Sequence, residues 1–184
     1  MVQTGRPIDR RSVTVALIRE LNRHGSWSGS THVQKCVFFL QHLYGVDLGY
    51  PFVIYHYGPY SFELEEELAL GRWQGWVNVE PDPSGYGVHY KPGAIGGDDG
   101  PELPEAHRRA IGDVVEHLGC RRVRELELLA TAYFFQKGLD GRDRTDRDVV
   151  EAVVALKPHF TQDEVREALR ELAEVEQKRN RRCP

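Results

Sequence analysis

Polar and apolar positions divide the chain into helical stretches interrupted by a few short extended ones. Val13, Leu17 and Leu21 recur every four residues, backed by Val15 and Ile18, and predict a helix over residues 9–23. After a Gly-Ser-Trp-Ser-Gly break, Val33, Cys36, Val37, Leu40, Leu43 and Tyr44 fall at i, i+3, i+4, i+7, i+10 and i+11. Thr31 and Gln34 have capping-box spacing, so the second helix is expected to open at Thr31 and to stop at Gly45. Residues 52–57 are mostly aromatic or β-branched and predict a short strand. Gly58-Pro59 predicts a turn, and Ser61 the cap of a third helix reaching about residue 71 with Leu64 and Leu68 inward. Strands at 76–80 and 86–91, joined by Pro-Asp-Pro-Ser-Gly, complete the first half.

Residues 93–104 are rich in glycine, proline and aspartate and predict a linker. Beyond it the pattern is helical. Ile111, Val114, Val115 and Leu118 line one helix; Val123, Leu126, Leu129, Ala130 and Tyr133 line the next. Thr145 opens a third with Val149, Val150, Val153 and Val154, and Thr161 with Glu164 a fourth with Val165, Ala168, Leu169, Leu172 and Val175. The expected fold class is α+β and mainly helical. A winged-helix-like N-terminal unit over 1–92 is followed by the linker, a helical extension over 105–175 packing on it, and a basic tail over 176–184 that is expected to fray over 178–182.

Composition narrows the class without naming an activity. The 184 residues include 24 basic and 28 acidic ones, a net charge of -4, and 40% are hydrophobic. That balance suits a soluble globular protein and weighs against a dedicated nucleic-acid binder, which is normally basic. No apolar run approaches membrane-spanning length and the first residues lack a secretion-signal pattern, so a cytoplasmic protein with no membrane association is expected. Cys36, Cys120 and Cys183 are odd in number and far apart, which fits free thiols in a reducing compartment.

No enzyme signature emerges, and neither a cofactor nor a metal is expected. Residues 93–100 lack the Gly-Lys-Ser/Thr of a phosphate loop. The loop opening at Asp140 has Arg142 where a calcium ligand belongs. Eight scattered histidines show no pair spaced for zinc, and His56, beside Tyr55 and Tyr57, fits a structural imidazole better than a catalytic one. No serine or cysteine has a base placed to activate it.

Three features point to binding. Tyr57, Gly58, Pro59, Tyr60 and Ser61 combine a turn with amphipathic rings, which either plug a small core or form a partner surface. Glu63, Glu66 and Glu67 share a helix face, either solvated or an acidic stripe imitating nucleic-acid phosphates toward a basic partner. On the second helix Lys35, Phe39 and His42 lie away from the apolar stripe, so Phe39 is either an exposed interaction residue or covered by the C-terminal half of the chain. Arg108, Arg109, Arg121, Arg122 and Arg124 form the basic group nearest to a nucleic-acid patch, but interspersed glutamates favour salt-bridged helix surface.

Residues 33–41, Val-Gln-Lys-Cys-Val-Phe-Phe-Leu-Gln, resemble the LQK-x-x-Y/F-x-L-Q helix of the YwgA-like family, related to Panacea (SocA-like) antitoxin domains. Tyr57-Gly58-Pro59-Tyr60-Ser61 with Leu64 resembles that family's YGPYS-x-x-L turn, and Lys157-Pro158-His159-Phe160 its KP-x-F segment. Val33 stands where the family usually has leucine. The resemblance implies a winged-helix-like unit without a catalytic centre that binds a protein partner. In the C-terminal domain of DarG-type antitoxins, the similar domain blocks a DNA-modifying toxin. It also implies contact roles for Gln34, Lys35, Tyr57, Gly58, Pro59, Tyr60 and Ser61. The expected function is therefore a non-enzymatic protein-binding domain, an antitoxin or a phage-defence accessory whose partner is a toxin or nucleic-acid-modifying enzyme. The alternative is a winged-helix DNA-binding transcriptional regulator.

Overall fold

The computed structural model describes residues 9–82, 87–94, 102–138 and 144–182. The expected loop between the two later strands, most of the 93–104 linker, much of the loop after Asp140 and the last two tail residues lie outside them. The described chain is mainly helical α+β, and it divides into two compact units. One comprises Met1–Phe52 with Ser61–Cys120, the other Val53–Tyr60 with Arg121–Pro184. The helical segment after residue 104 therefore joins the first unit as far as Cys120, and the hairpin around residue 57 joins the second.

In the first unit, helices α1 (Arg10–Arg23), α2 (Ser30–His42) and α3 (Phe62–Gln74) precede a hairpin of β3 (Val77–Pro81) and β4 (Val88–Pro92). The strands pair antiparallel from Val77↔Pro92 to Pro81↔Val88. Helix α4 (Glu105–Val114) runs on through one π-helical turn, Val115–Gly119, and packs against α1 and α2. Leu17, Ile18, Leu21, Val37, Leu40, Leu64, Leu68, Val114 and Leu118 are fully buried and make the core. Each buried aliphatic side chain contributes about 1.5–3 kcal/mol through removal from water.

Local chemistry sets the helix ends. Asp9 caps α1 by accepting from Arg11 N at 3.2 Å, and Ser61 caps α3 by accepting from Leu64 N at 3.3 Å. Helix α2 differs from expectation. It begins at Ser30 behind Gly29, which has no side chain to cap with, and the Gln34 amide bonds Ser61 instead of closing a box with Thr31. Helix α3 passes Gly71 without stopping; a Cβ there would lie 2.5 Å from the indole of the buried Trp76, so the glycine provides space rather than a terminus.

In the second unit, β1 (Val53–Tyr55) and β2 (Gly58–Tyr60) form a hairpin, followed by α5 (Val123–Lys137), α6 (Asp146–Leu156) and α7 (Gln162–Arg182). The three helices pack on one another and β2 packs on α5. Leu126, Ala130, Val149, Val153, Val165 and Leu172 are fully buried among them. Thr161 and Glu164 form the expected capping box, with Glu164 N donating to Thr161 Oγ1 at 3.2 Å and Thr161 N to the Glu164 carboxylate at 2.7 Å. The frayed-tail expectation is corrected: α7 stays helical through Arg182, with Lys137 on α5 paired to Glu176 at 3.3 Å.

Candidate functional site

The hairpin of the second unit turns one residue pair earlier than expected. Tyr55 pairs with Gly58 across a His56-Tyr57 loop, so Gly58 and Pro59 belong to β2 and are not the turn. Gly58 has φ 85°, a left-handed backbone conformation that glycine adopts without strain as the first residue after the loop. Pro59 and Gly58 are buried, whereas Tyr57 is 59% and Tyr55 45% exposed, with Val53 alongside. Val53 and Tyr55 share a face with the half-buried Tyr60, whose ring centroid lies 5.4 Å from that of Tyr55. The outward face of this small sheet is thus largely aromatic.

What holds the hairpin is an ion pair that sequence reading missed. Lys157, just past the end of α6, donates from Nζ to the backbone oxygen of His56 and lies 2.8 Å from Glu127 Oε1 on α5. Both side chains are more than nine-tenths buried. His159, exposed, stands 4.0 Å from the same carboxylate oxygen. Phe160 is buried under the Arg124 guanidinium, 4.7 Å from its ring centroid. The KP-x-F segment is therefore the turn that carries a cation back to the hairpin loop, and His56 serves through its main chain. Lys157 was legible as a motif residue; Glu127 carried no signal beyond one more glutamate on a charged helix.

In the first unit, the remaining expected contact residues are mostly structural. Gln34 grips the backbone of Ser61 at both ends, Nε2 donating to Ser61 O at 3.0 Å and Oε1 accepting from Ser61 N at 2.9 Å. The two family-like motifs thus meet through a main-chain clamp in the interior. Lys35 and Phe39 are corrected: both are buried, Phe39 completely, because every residue from His32 to Leu40 is covered. Neither is available to a partner or to phosphate.

The acidic face is partly internal: Glu67 is buried, Glu63 half-buried and Glu66 exposed. Arg10 donates to Glu67 at 2.7 Å and to Glu63 at 2.6 Å, and Tyr50 Oη donates to the other Glu67 oxygen at 2.5 Å. The guanidinium also covers the Tyr50 ring at 4.6 Å. Burial opposes the Arg10 charge, but the bonds to Glu63 and Glu67 outweigh it and raise its pKa above the ordinary value. Burial, with the bond to Glu67, raises the Tyr50 phenol well above its usual range. Glu65 accepts from Ser30 Oγ at 3.0 Å, and Glu66 stays exposed.

Four of the five arginines of the basic group pair within their own unit. Arg108 meets Glu105 at 2.8 Å and Arg109 the same residue at 3.9 Å in the first. Arg121 pairs with Glu171, and Arg124 with Glu164 at 2.7 Å, in the second. A cleft of about 660 Å³ between α6 and α7 is lined by Arg147, Arg166 and Arg170 among others. Each of these arginines bonds a carboxylate on its own helix. Asp113, Glu116 and His117 bring ligand-type atoms within 4.8 Å of one another beside the π-helical turn, the spacing of ordinary helical neighbours. No described helix is long and apolar enough to cross a membrane. Comparison with protein-family models, with curated proteins and with solved structures found no match to this chain.

Proposed function

We propose that this protein is a non-enzymatic protein-binding domain, of the antitoxin or defence-accessory kind, that acts by occupying a partner's surface. The observation that carries the reading is the hairpin of β1 and β2. It presents Val53, Tyr55 and Tyr57 outward while its inner side is packed and its loop carbonyl is held by Lys157. Tyrosines fixed in this way bury large area at low entropic cost, the chemistry of a docking surface. The resemblance to YwgA-like and Panacea domains supports the same reading, with a toxin or nucleic-acid-modifying enzyme as the partner. Pairing of Arg108, Arg109, Arg121 and Arg124 with glutamates works against the duplex-binding alternative, since phosphate contacts need available cations.

The test is affinity purification from the native host at moderate salt, with wild type compared to Tyr55→Ser/Tyr57→Ser. Both positions are exposed, so the variant is expected to fold normally. The reading expects one stoichiometric protein retained by wild type and lost from the variant. A protein retained equally by both, or nuclease-sensitive DNA in its place, overturns it.

A further inference from the structure

Helix α3 carries a second apolar surface, on the side opposite its buried residues Leu64, Leu68 and Gly71. At about 100° per residue, Phe62, Glu66, Ala69, Leu70 and Trp73 fall within one narrow stripe. All five are exposed, Phe62 at 53%, Leu70 at 51% and Trp73 at 85%. An indole left that far in water within an apolar stripe marks an interaction surface.

The stripe is self-complementary. Phe62, Glu66, Ala69 and Trp73 are spaced four, three and four apart, a pattern that reads the same in both directions from the point between Glu67 and Leu68. We propose that α3 is the contact of a twofold homodimer, in which two copies of the helix lie antiparallel. Phe62 of each copy then meets Trp73 of the other, and the small Ala69 gives room opposite Glu66. Twofold pairing of this kind uses one patch on both molecules.

Charge selects the same arrangement. Glu65 and Arg72 flank one side of the stripe, and antiparallel packing brings like flanks together. Arg72 of one copy therefore reaches Glu65 of the other, twice per dimer. Arg72 is exposed with no ion pair among the described residues, and Glu65 is half-buried and held by Ser30. A parallel pair would instead set the acidic first turns, which hold Glu63 and Glu65, side by side. The antiparallel pair also opposes the two helix dipoles. The exposed parts of Trp73, Phe62 and Leu70 amount to roughly 400 Å² per copy. With a polar rim, the total reaches about 1,200 Å², the lower end of specific interfaces. That size predicts a reversible dimer rather than an obligate one. The inference does not rest on partner docking at the hairpin.

Sedimentation velocity on the full chain from about 1 to about 500 µM tests it, because interfaces of this size dissociate in the micromolar range. Wild type is expected to pass from monomer to dimer, and Trp73→Glu to weaken the dimer by about 30-fold or more. Arg72→Glu should weaken it by roughly 10-fold, and the swap Arg72→Glu/Glu65→Arg should restore it to within about threefold. Because Trp73 and Arg72 are exposed, these single variants are expected to keep the wild-type melting temperature. A wild type that stays monomeric throughout overturns the proposal, as does a dimer indifferent to Trp73→Glu. Failure of the charge swap, in a variant that melts like wild type, overturns the antiparallel register. Capture of α3 by a different protein with no self-association also overturns it.

Discussion

Replacing Lys157 with methionine keeps the aliphatic stem and deletes the charge that holds the hairpin loop. Two groups then lose their partner: the Glu127 carboxylate, 2.8 Å from Nζ, and the backbone oxygen of His56. Breaking a buried ion pair from one side typically costs about 3–5 kcal/mol, because the remaining charge stays in the interior uncompensated. The orphaned carbonyl adds about 1 kcal/mol, so the variant should be less stable by roughly 4 kcal/mol. With a urea dependence of about 2 kcal/mol per molar, the unfolding midpoint moves down by roughly 2 M. The double variant Lys157→Met/Glu127→Leu removes both charges and should recover about 2 kcal/mol or more. A Lys157→Met midpoint within about 0.25 M of wild type refutes the anchoring role. So does a double variant whose loss is the sum of the two singles.

Other expectations follow from the same geometry. Gln34→Leu leaves both main-chain groups of Ser61 without their amide partner and should cost about 2–3 kcal/mol in urea unfolding. Glu164 is pulled down to about 2 by its bonds to Arg124 and Thr161, from an ordinary value of 4.5. Its stabilisation is thus complete above about pH 4.5 and lost as pH falls toward 2, and Glu164→Gln should flatten that part of an acid-unfolding curve. Burial, with a smaller effect from Cys120, pushes the Cys36 thiol up to about 12. A thiol reagent at neutral pH should therefore label the exposed Cys120 in the native state and Cys36 only on unfolding.

Helix positions were legible because capping and period are local. Asp9, Ser61, Thr145 and Thr161 each stand at the start of a helix that the apolar spacing also predicts. What stayed illegible depends on distant partners. An exposed Phe39 stayed open on the assumption that α2 buries one stripe, whereas α1, β4 and the π-helical end of α4 all pack against it. The acidic face looked available because Arg10, more than fifty residues earlier, cannot be matched to Glu63 and Glu67 by spacing. Gly58-Pro59 read as a turn since both residues favour turns, but the left-handed glycine closes a loop that precedes it. The residues of the Tyr-Gly-Pro-Tyr-Ser segment divide by role. Gly58, Pro59 and Ser61 are interior, and Tyr57 is the member most open to solvent.

The central claim, that the hairpin docks a protein partner, is tested most directly by side-chain footprinting of the purified complex against the free protein. The account predicts that Tyr55 and Tyr57 lose reactivity to hydroxyl radical on complex formation, while the Arg147, Arg166 and Arg170 cleft is unchanged. Full reactivity of both tyrosines within a stable stoichiometric complex would contradict it and place the docking surface elsewhere.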